Sequence, residues 1–231
     1  MTSAPFGVEW APGKGALTRH LTQYWDYILA VEIDQEFCRH LSREYSSQSV
    51  GVVRGDIQSI EMPVRPDAYP VVGNLPYHIT GPLMMKILEI SDRITQFQGL
   101  VQWEVARRLV EEPGGSDYGG LSLLYQWMGE VKVLHRVPSE AFTPRPNVDS
   151  GWIRYHPHRS PDDLKGVQNL VRTCFRHRRK TLLNNLAGEG NSKGGWKKWM
   201  EQQGWNVQRR PQTLKPSELE DLVKEWKRQK T

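Results

Sequence analysis

A repeated succession constrains this chain more than any other feature: an apolar run, a short turn, then a helix-spaced segment. Phe6–Trp10 reads as a first strand, the turn Ala11-Pro12-Gly13-Lys14-Gly15 follows, and a helical pattern runs from Ala16 to about Tyr24. Tyr27–Ile33 is a continuous apolar strand ending in Glu32 and Asp34, with a helix over Asp34–Tyr45. Val50–Val53 is the third strand, closed by Gly55-Asp56, and Tyr69–Gly73 the fourth, leading to a helix over Pro82–Ile90. Thr95–Trp103 is a fifth strand followed by a helix through Glu104–Glu111. A loop at Pro113–Asp117 and a helix over Leu121–Met128 come next, and Glu130–Val137 with Val148–His156 form a closing antiparallel pair. Strand–helix alternation ending in a strand pair predicts an α/β fold, a mostly parallel sheet with helices on both faces. Beyond a linker at His156–Pro161 the pattern becomes helical, over 162–176, 178–187, 193–203 and 216–229, broken by Gly188, Gly190, Gly204 and Pro211. This divides the chain into a domain of residues 1–157 and a small all-α domain of residues 158–231. Trp196, Trp199, Trp205 and Trp226 are expected in the helical core.

Within the alternating part, Val71-Val72-Gly73-Asn74-Leu75-Pro76-Tyr77 has the most pointed chemistry. Open α/β sheets keep their ligands at the carboxyl ends of their strands, and this turn closes the fourth. Asn74 offers a side-chain carbonyl, and the Leu75 carbonyl cannot pair with Pro76, which lacks an N–H. Tyr77 offers an aromatic face. Two acceptors and a face suit an exocyclic amine on a flat base. The plainer alternative is a strand-ending turn with a half-buried tyrosine. Glu32 falls roughly 20 residues beyond the glycine turn, where nucleotide-binding folds place the carboxylate that accepts from ribose hydroxyls.

Charge is unevenly spread. Residues 151–231 carry 18 Lys and Arg against 8 Asp and Glu, whereas residues 1–150 carry 13 against 18. An acidic body with a basic tail suggests a polyanionic partner met chiefly by the C-terminal part. The run Arg176-His177-Arg178-Arg179-Lys180, expected at a helix start, and Arg145 are the candidates for phosphate contact. Arg172, Lys197 and Lys198 fit that role or a solvated helix face equally well. The two cysteines, Cys38 and Cys174, form neither metal spacing nor a disulfide framework, which fits a cytoplasmic location. No apolar run reaches the roughly 20 residues of a membrane span, and the opening residues, neither basic nor apolar, lead us to expect no signal peptide. His156 and His158 lack a third ligand nearby, so no metal is expected.

The strings GVEWAPGKGALT, AVEID, RGDI, VVGNLPYHIT, YGGLS, AFTPRPNVDS, FRHRRKTLLNNL and RPQTLKPSEL together resemble the KsgA/RsmA-type ribosomal RNA small-subunit adenine dimethyltransferase family. The likeness runs from Val8 to near the C-terminus. It implies a Rossmann-like class I S-adenosylmethionine methyltransferase domain with a small helical domain. The implied activity is transfer of four methyl groups to two adjacent adenosines near the 3′ end of small-subunit rRNA, in the immature subunit, by a monomer. Carried over by position, Glu9, Ala11, Gly13 and Gly15 line the methionine end of the cofactor and Glu32 holds its ribose. Asp56 takes the cofactor's adenine amine, Ile33 and Ile57 pack its ring, and Asn74 borders it. Asn74, Leu75 and Pro76 form the target-amine loop, with Tyr77 and Phe142 on the two faces of the flipped base.

Three departures from the family pattern stand out. The family has an N-terminal segment with a Phe-Leu-x-Asp string that closes over the cofactor, whereas eight residues precede Glu9 here. Ala11 stands at a glycine position, and Gly120 stands where the family has arginine. The resemblance therefore implies weakened cofactor binding, or binding that depends on RNA. The alternative is a weakly catalytic or non-catalytic assembly factor that binds immature small subunits. A third reading is methylation of another RNA adenine, such as a large-subunit site.

Overall fold

The computed structural model describes residues 4–46, 49–63, 67–189 and 193–230. Its elements in chain order are β1 (Gly7–Trp10), α1 (Thr18–Leu21), β2 (Ile28–Glu32), α2 (Gln35–Glu44), β3 (Val50–Arg54), β4 (Tyr69–Asn74) and α3 (Thr80–Glu89). These are followed by β5 (Ile94–Gln102), α4 (Trp103–Val110), α5 (Gly120–Met128), β6 (Gly129–Val137) and β7 (Ser150–Pro157). The remainder is helical: α6 (Leu164–Phe175), α7 (Leu182–Leu186), α8 (Lys193–Gln202) and α9 (Pro216–Lys230).

One seven-stranded sheet runs in the order β3-β2-β1-β4-β5-β7-β6. The first five strands are parallel, and β7 pairs antiparallel with both β5 and β6. The expected alternation and closing antiparallel pair are thus borne out. Apart from Glu9, the interiors of β1, β2 and β4 are apolar because helices cover both faces of a parallel sheet, and Val8, Trp10, Ile28, Ala30, Val71 and Val72 are buried. β6 is an edge, and its exposed Glu130, Lys132 and Arg136 discourage pairing with another chain. The order reverses between β1 and β4, which opens a crevice beyond their carboxyl ends.

α2 starts at Asp34, whose Oδ1 accepts from the backbone N–H of Glu36 at 2.7 Å and of Phe37 at 3.1 Å. Two orphan amides of the first turn are satisfied there. Asp34→Ala is expected to lower unfolding free energy by about 1 kcal/mol, read as a fall in the urea midpoint with an unchanged slope.

The first helix is shorter than its sequence pattern suggests. Only Thr18–Leu21 is α-helical, and tighter bonds such as His20 N–H to the Leu17 carbonyl at 2.9 Å wind the flanking residues. Ala4 draws the end of this segment across, accepting from the Asp26 N–H at 3.1 Å and donating to the Tyr24 carbonyl at 3.1 Å.

Contacts divide the chain into two compact units, one of residues up to 106 with 129–160, the other of residues 107–128 with those from 161 onward. The sheet lies wholly in the first. The second is helical, and α5 packs with α6 and α9 inside it. Gly120 is explained locally: a Cβ there would lie 3.0 Å from a Val171 methyl, so its bareness lets α6 come close. Trp196 and Trp199 are buried in this unit, edge to face at 5.8 Å, and Trp199 meets Trp205 at 4.9 Å. The Arg209 guanidinium lies 4.6 Å over the Trp205 ring and pairs with Glu218 through two bonds of 2.8 Å.

The pattern over 178–187 yields a helix only from Leu182. Thr181 adopts an extended conformation and its Oγ1 accepts from the Asn184 N–H at 3.2 Å, capping the helix late. The run Arg176–Lys180 consequently forms the turn between α6 and α7, closed by Lys180 N–H to the His177 carbonyl at 3.0 Å, and is no helix start. Gly190, expected to break the helical pattern, lies outside the described residues.

Candidate active site

The glycine turn leaves β1 with Ala11 at φ +52°, Gly13 at +55° and Gly15 at +81°. Gly15 needs both its conformation and its bareness, because a Cβ would sit 3.0 Å from Leu41 and from the Tyr45 hydroxyl, which itself donates to the Gly15 carbonyl at 3.2 Å. Gly13 faces open space, with nothing within 4 Å of where a Cβ would be. Ala11 carries its methyl in the left-handed region, where an L residue costs about 1 kcal/mol or more. Ala11→Gly is expected to raise unfolding free energy by about 0.5–1 kcal/mol, net of the added freedom of the unfolded chain. Denaturant unfolding without ligand reads this directly, and a lower midpoint would show the turn to be unstrained.

Glu32, at the end of β2, ties the turn to the sheet. Its Oε2 accepts from the Gly13 N–H at 3.0 Å and its Oε1 from the Asp34 N–H at 2.9 Å. Each oxygen keeps acceptor capacity for a further donor. Ile33 beside it is 62 % exposed, a large apolar side chain left in solvent. Asp56 follows β3, its Oδ1 accepting from the Gln58 N–H at 2.9 Å, and Ile57 is buried next to it.

Glu9, on β1, is only 1 % exposed and its Oε2 has no hydrogen-bond partner among the described residues. Burial, opposed in part by the polar groups of nearby Thr18 and reinforced by the charge of Glu32, pushes its pKa up to about 7. A buried, unsatisfied acceptor is costly unless a ligand meets it.

At the end of β4, Asn74 is exposed and pairs in register with Leu100 on β5, and the Leu75 N–H donates to the Leu100 carbonyl at 3.1 Å. Thr80 Oγ1 donates to the Pro76 and Tyr77 carbonyls, both at 3.2 Å, which holds the turn closed. Asn74, Leu75, Pro76 and Tyr77 line a cleft of about 270 Å³ together with Phe142, Thr143, Pro144 and Pro146. The structure thus brings together the five residues singled out for the target base, from stretches more than sixty residues apart. Composition and spacing gave no signal for the Tyr77 hydroxyl's partner, Ser150 Oγ.

The basic candidates are divided. Arg145 lies in the first unit, where it pairs with Glu140 and donates through Nε to Ser139 Oγ at 3.1 Å. Arg176, Arg178, Arg179 and Lys180 are exposed in the second, and Arg178 donates to the Ser116 carbonyl at 2.6 Å. Arg172 bonds Asn169, and Lys197 lies 3.9 Å from Glu201. Among the described residues no three His, Cys, Asp or Glu side chains gather as metal ligands, and no helix is long and apolar enough to cross a membrane.

The sheet order and the strand-end site define a Rossmann-like methyltransferase fold. The residues fit S-adenosylmethionine, the methyl donor of that class: an open glycine turn, a carboxylate with acceptor capacity and a buried acceptor short of a partner. Residues 6–225 match the profile of the ribosomal RNA adenine dimethylase family, and the chain belongs to that family.

The ribosomal RNA small subunit methyltransferase A of Laribacter hongkongensis is 36 % identical over 218 residues, covering 90 % of this chain and 79 % of that protein. The protein of the same name from Pelotomaculum thermopropionicum is 35 % identical over 244 residues, covering 96 % and 82 %. Two crystal structures share the fold. A dimethyladenosine transferase from Plasmodium falciparum has a TM-score of 0.81 at 21 % identity, covering all of this chain and 92 % of that one. The 23S rRNA methyltransferase ErmE has a TM-score of 0.71 at 24 % identity, covering 97 % and 92 %.

Proposed function

We propose that this chain dimethylates the exocyclic amines of two adjacent adenosines near the 3′ end of small-subunit rRNA, within the immature subunit, as a cytoplasmic monomer. The observation that carries the reading is the cleft lined together by Asn74, Leu75, Tyr77 and Phe142, at the end of β4 and beside the crevice between β4 and β1.

S-adenosylmethionine, when bound, supplies an electrophilic methyl on a sulfonium. The residues that would hold it are Glu9, Ala11, Gly13 and Gly15 at the methionine end and Glu32 at the ribose. Asp56, with Ile33 and Ile57, would take the adenine, and Asn74 would border the donor. Everything else asked of the protein is alignment. The lone pair of an adenine amine is delocalised into its ring. Acceptors on its two N–H bonds, the Asn74 side-chain carbonyl and the Leu75 backbone carbonyl, favour the pyramidal geometry that localises that pair. They also bind the developing positive charge best in the transition state. Tyr77 and Phe142 offset the few kcal/mol of base extrusion with stacking worth about 1–3 kcal/mol per contact. The proton leaves to solvent after transfer, so no side chain is assigned as general base. Residues 1–157 would carry this chemistry, and residues 158–231, with Arg176, Arg178, Arg179 and Lys180, would meet phosphates and position the enzyme without reading sequence. Arg145 would add a contact from the catalytic part.

The test is methyl incorporation from labelled S-adenosylmethionine into small subunits from a strain lacking the modification. Close to four methyls per subunit, on two adjacent adenosines, is the expected result. No incorporation with subunit binding retained would sink the enzyme reading in favour of an assembly factor, and label on another adenine would redirect the substrate.

A further inference from the structure

Two segments that line the cleft, one bearing Phe142 and one bearing Tyr77, are tied to one place, the pair Asp149-Ser150 where β7 begins. Asp149 serves the Phe142 side. Its Oδ1 accepts from the Ser139 N–H at 3.0 Å and its Oδ2 from Arg136 Nε at 2.9 Å, while its carbonyl accepts from the Trp103 N–H at 2.9 Å. The Phe142 N–H in turn donates to the Ser139 carbonyl at 3.3 Å, so the segment bearing that ring starts from the residue Asp149 grips. Ser150 serves the Tyr77 side through the hydrogen bond between the two hydroxyls. It is fully buried and lies between Gln102 on β5 and Val137 on β6, so the backbone beneath its hydroxyl cannot shift alone. Tyr77 is only half-buried and sits in a turn outside the sheet. Without an anchor at its far end the ring would be free to swing about its side-chain torsions.

The chemistry makes that freedom matter unequally. An unmodified adenine amine has two N–H bonds for the Asn74 and Leu75 carbonyls. An amine that already carries one methyl has a single N–H left, so its alignment leans more on the rings above and below it. Resting on the methyltransferase reading above, we infer that Ser150 is a positioning residue that locks the Tyr77 ring and so governs the second methyl transfer more than the first.

The experiment compares the parent with Ser150→Ala, Tyr77→Phe, the double variant and Ser150→Thr. It measures single-turnover rates on small subunits and the ratio of monomethyl to dimethyl adenosine in digested RNA, beside S-adenosylhomocysteine affinity and thermal stability. The second transfer is expected to slow about tenfold and the first about threefold in either single variant. Monomethyl adenosine then accumulates while cofactor-product affinity stays within about twofold. The double variant is expected to match the single ones, because one bond is removed in each case, and Ser150→Thr is expected to restore most of the dimethyl product. Should Ser150→Ala fail to fold, Tyr77→Phe removes the same bond from the half-exposed side. An unchanged product ratio in the single variants, or a double variant whose loss multiplies theirs, overturns the inference. A parent that makes no methylated product at all sinks the methyltransferase reading itself, and this inference with it.

Discussion

Asn74→Ala is expected to slow methyl transfer by about a hundredfold to a thousandfold, roughly 3–4 kcal/mol of transition-state stabilisation. The size follows from what is removed. The side-chain carbonyl at the end of β4 is one of two acceptors proposed for the reacting amine, and it would bind charge that develops only as the methyl arrives. Loss of such a group lowers kcat and kcat/KM together rather than raising KM. Asn74 is exposed in the described structure, so folding should hardly respond, and a thermal midpoint within a few degrees of the parent's separates the two effects. Asn74→Asp keeps an acceptor but places a full negative charge beside the cleft, and an intermediate rate is expected. A rate for Asn74→Ala within threefold of the parent would remove this residue from the reacting centre.

Much of this architecture is written locally. β1, β2 and β4 announce themselves because strands covered on both faces need no polar alternation, and β2 and β4 end in polar residues, Glu32 and Asn74, of the kind that a turn or a ligand requires. Glu32 and Asn74 lie at such ends and Asp56 just beyond the end of β3, so all three are legible without any knowledge of how the strands pair.

What was not legible depends on distance or on backbone angles. The bond between Tyr77 and Ser150 spans 73 residues and exists only because β7 turns back antiparallel between β5 and β6. No spacing rule connects those positions, although the string Val148-Asp149-Ser150 was in view. The strain at Ala11 is equally hidden, since alanine is compatible with many turns and only φ +52° marks this one as costly. The short α1 and the late start of α7 show apolar periodicity overridden by local bonds, the Ala4 tie in one case and the Thr181 cap in the other.

Glu9 gives the other large effect, and its sign is set by burial. The carboxyl's pKa is pushed up to about 7 from 4.5, so in the folded state it keeps a proton that the unfolded chain gives up. Below pH 4.5 both states are protonated and the residue imposes no pH-dependent penalty. As pH rises from 4.5 to 7 the folded state progressively loses stability relative to the unfolded one, and above that the loss is complete at about 3 kcal/mol. Glu9→Gln abolishes this term, so its stability relative to the parent is expected to climb by about that amount between pH 4.5 and pH 7 and then level off. Unfolding curves across that range read it. The charge that bears on Glu9 is that of Glu32 on β2, which raises its pKa, while Tyr45 beyond α2 is a neutral phenol whose own pKa is raised by burial, so neither supplies a compensating positive charge. S-adenosylmethionine, with its sulfonium and ammonium, would supply one. A site that leaves Oε2 unpartnered is less stable than it could be and better prepared for a cation. Binding near pH 6.5 is then expected to release a fraction of a proton, seen as a calorimetric enthalpy that changes with the ionisation enthalpy of the buffer. In Glu9→Gln that buffer dependence is expected to vanish and affinity to fall. A parent enthalpy independent of buffer, together with a flat stability difference, would mean that Glu9 is ionised in the free protein and that the penalty of its burial is met some other way.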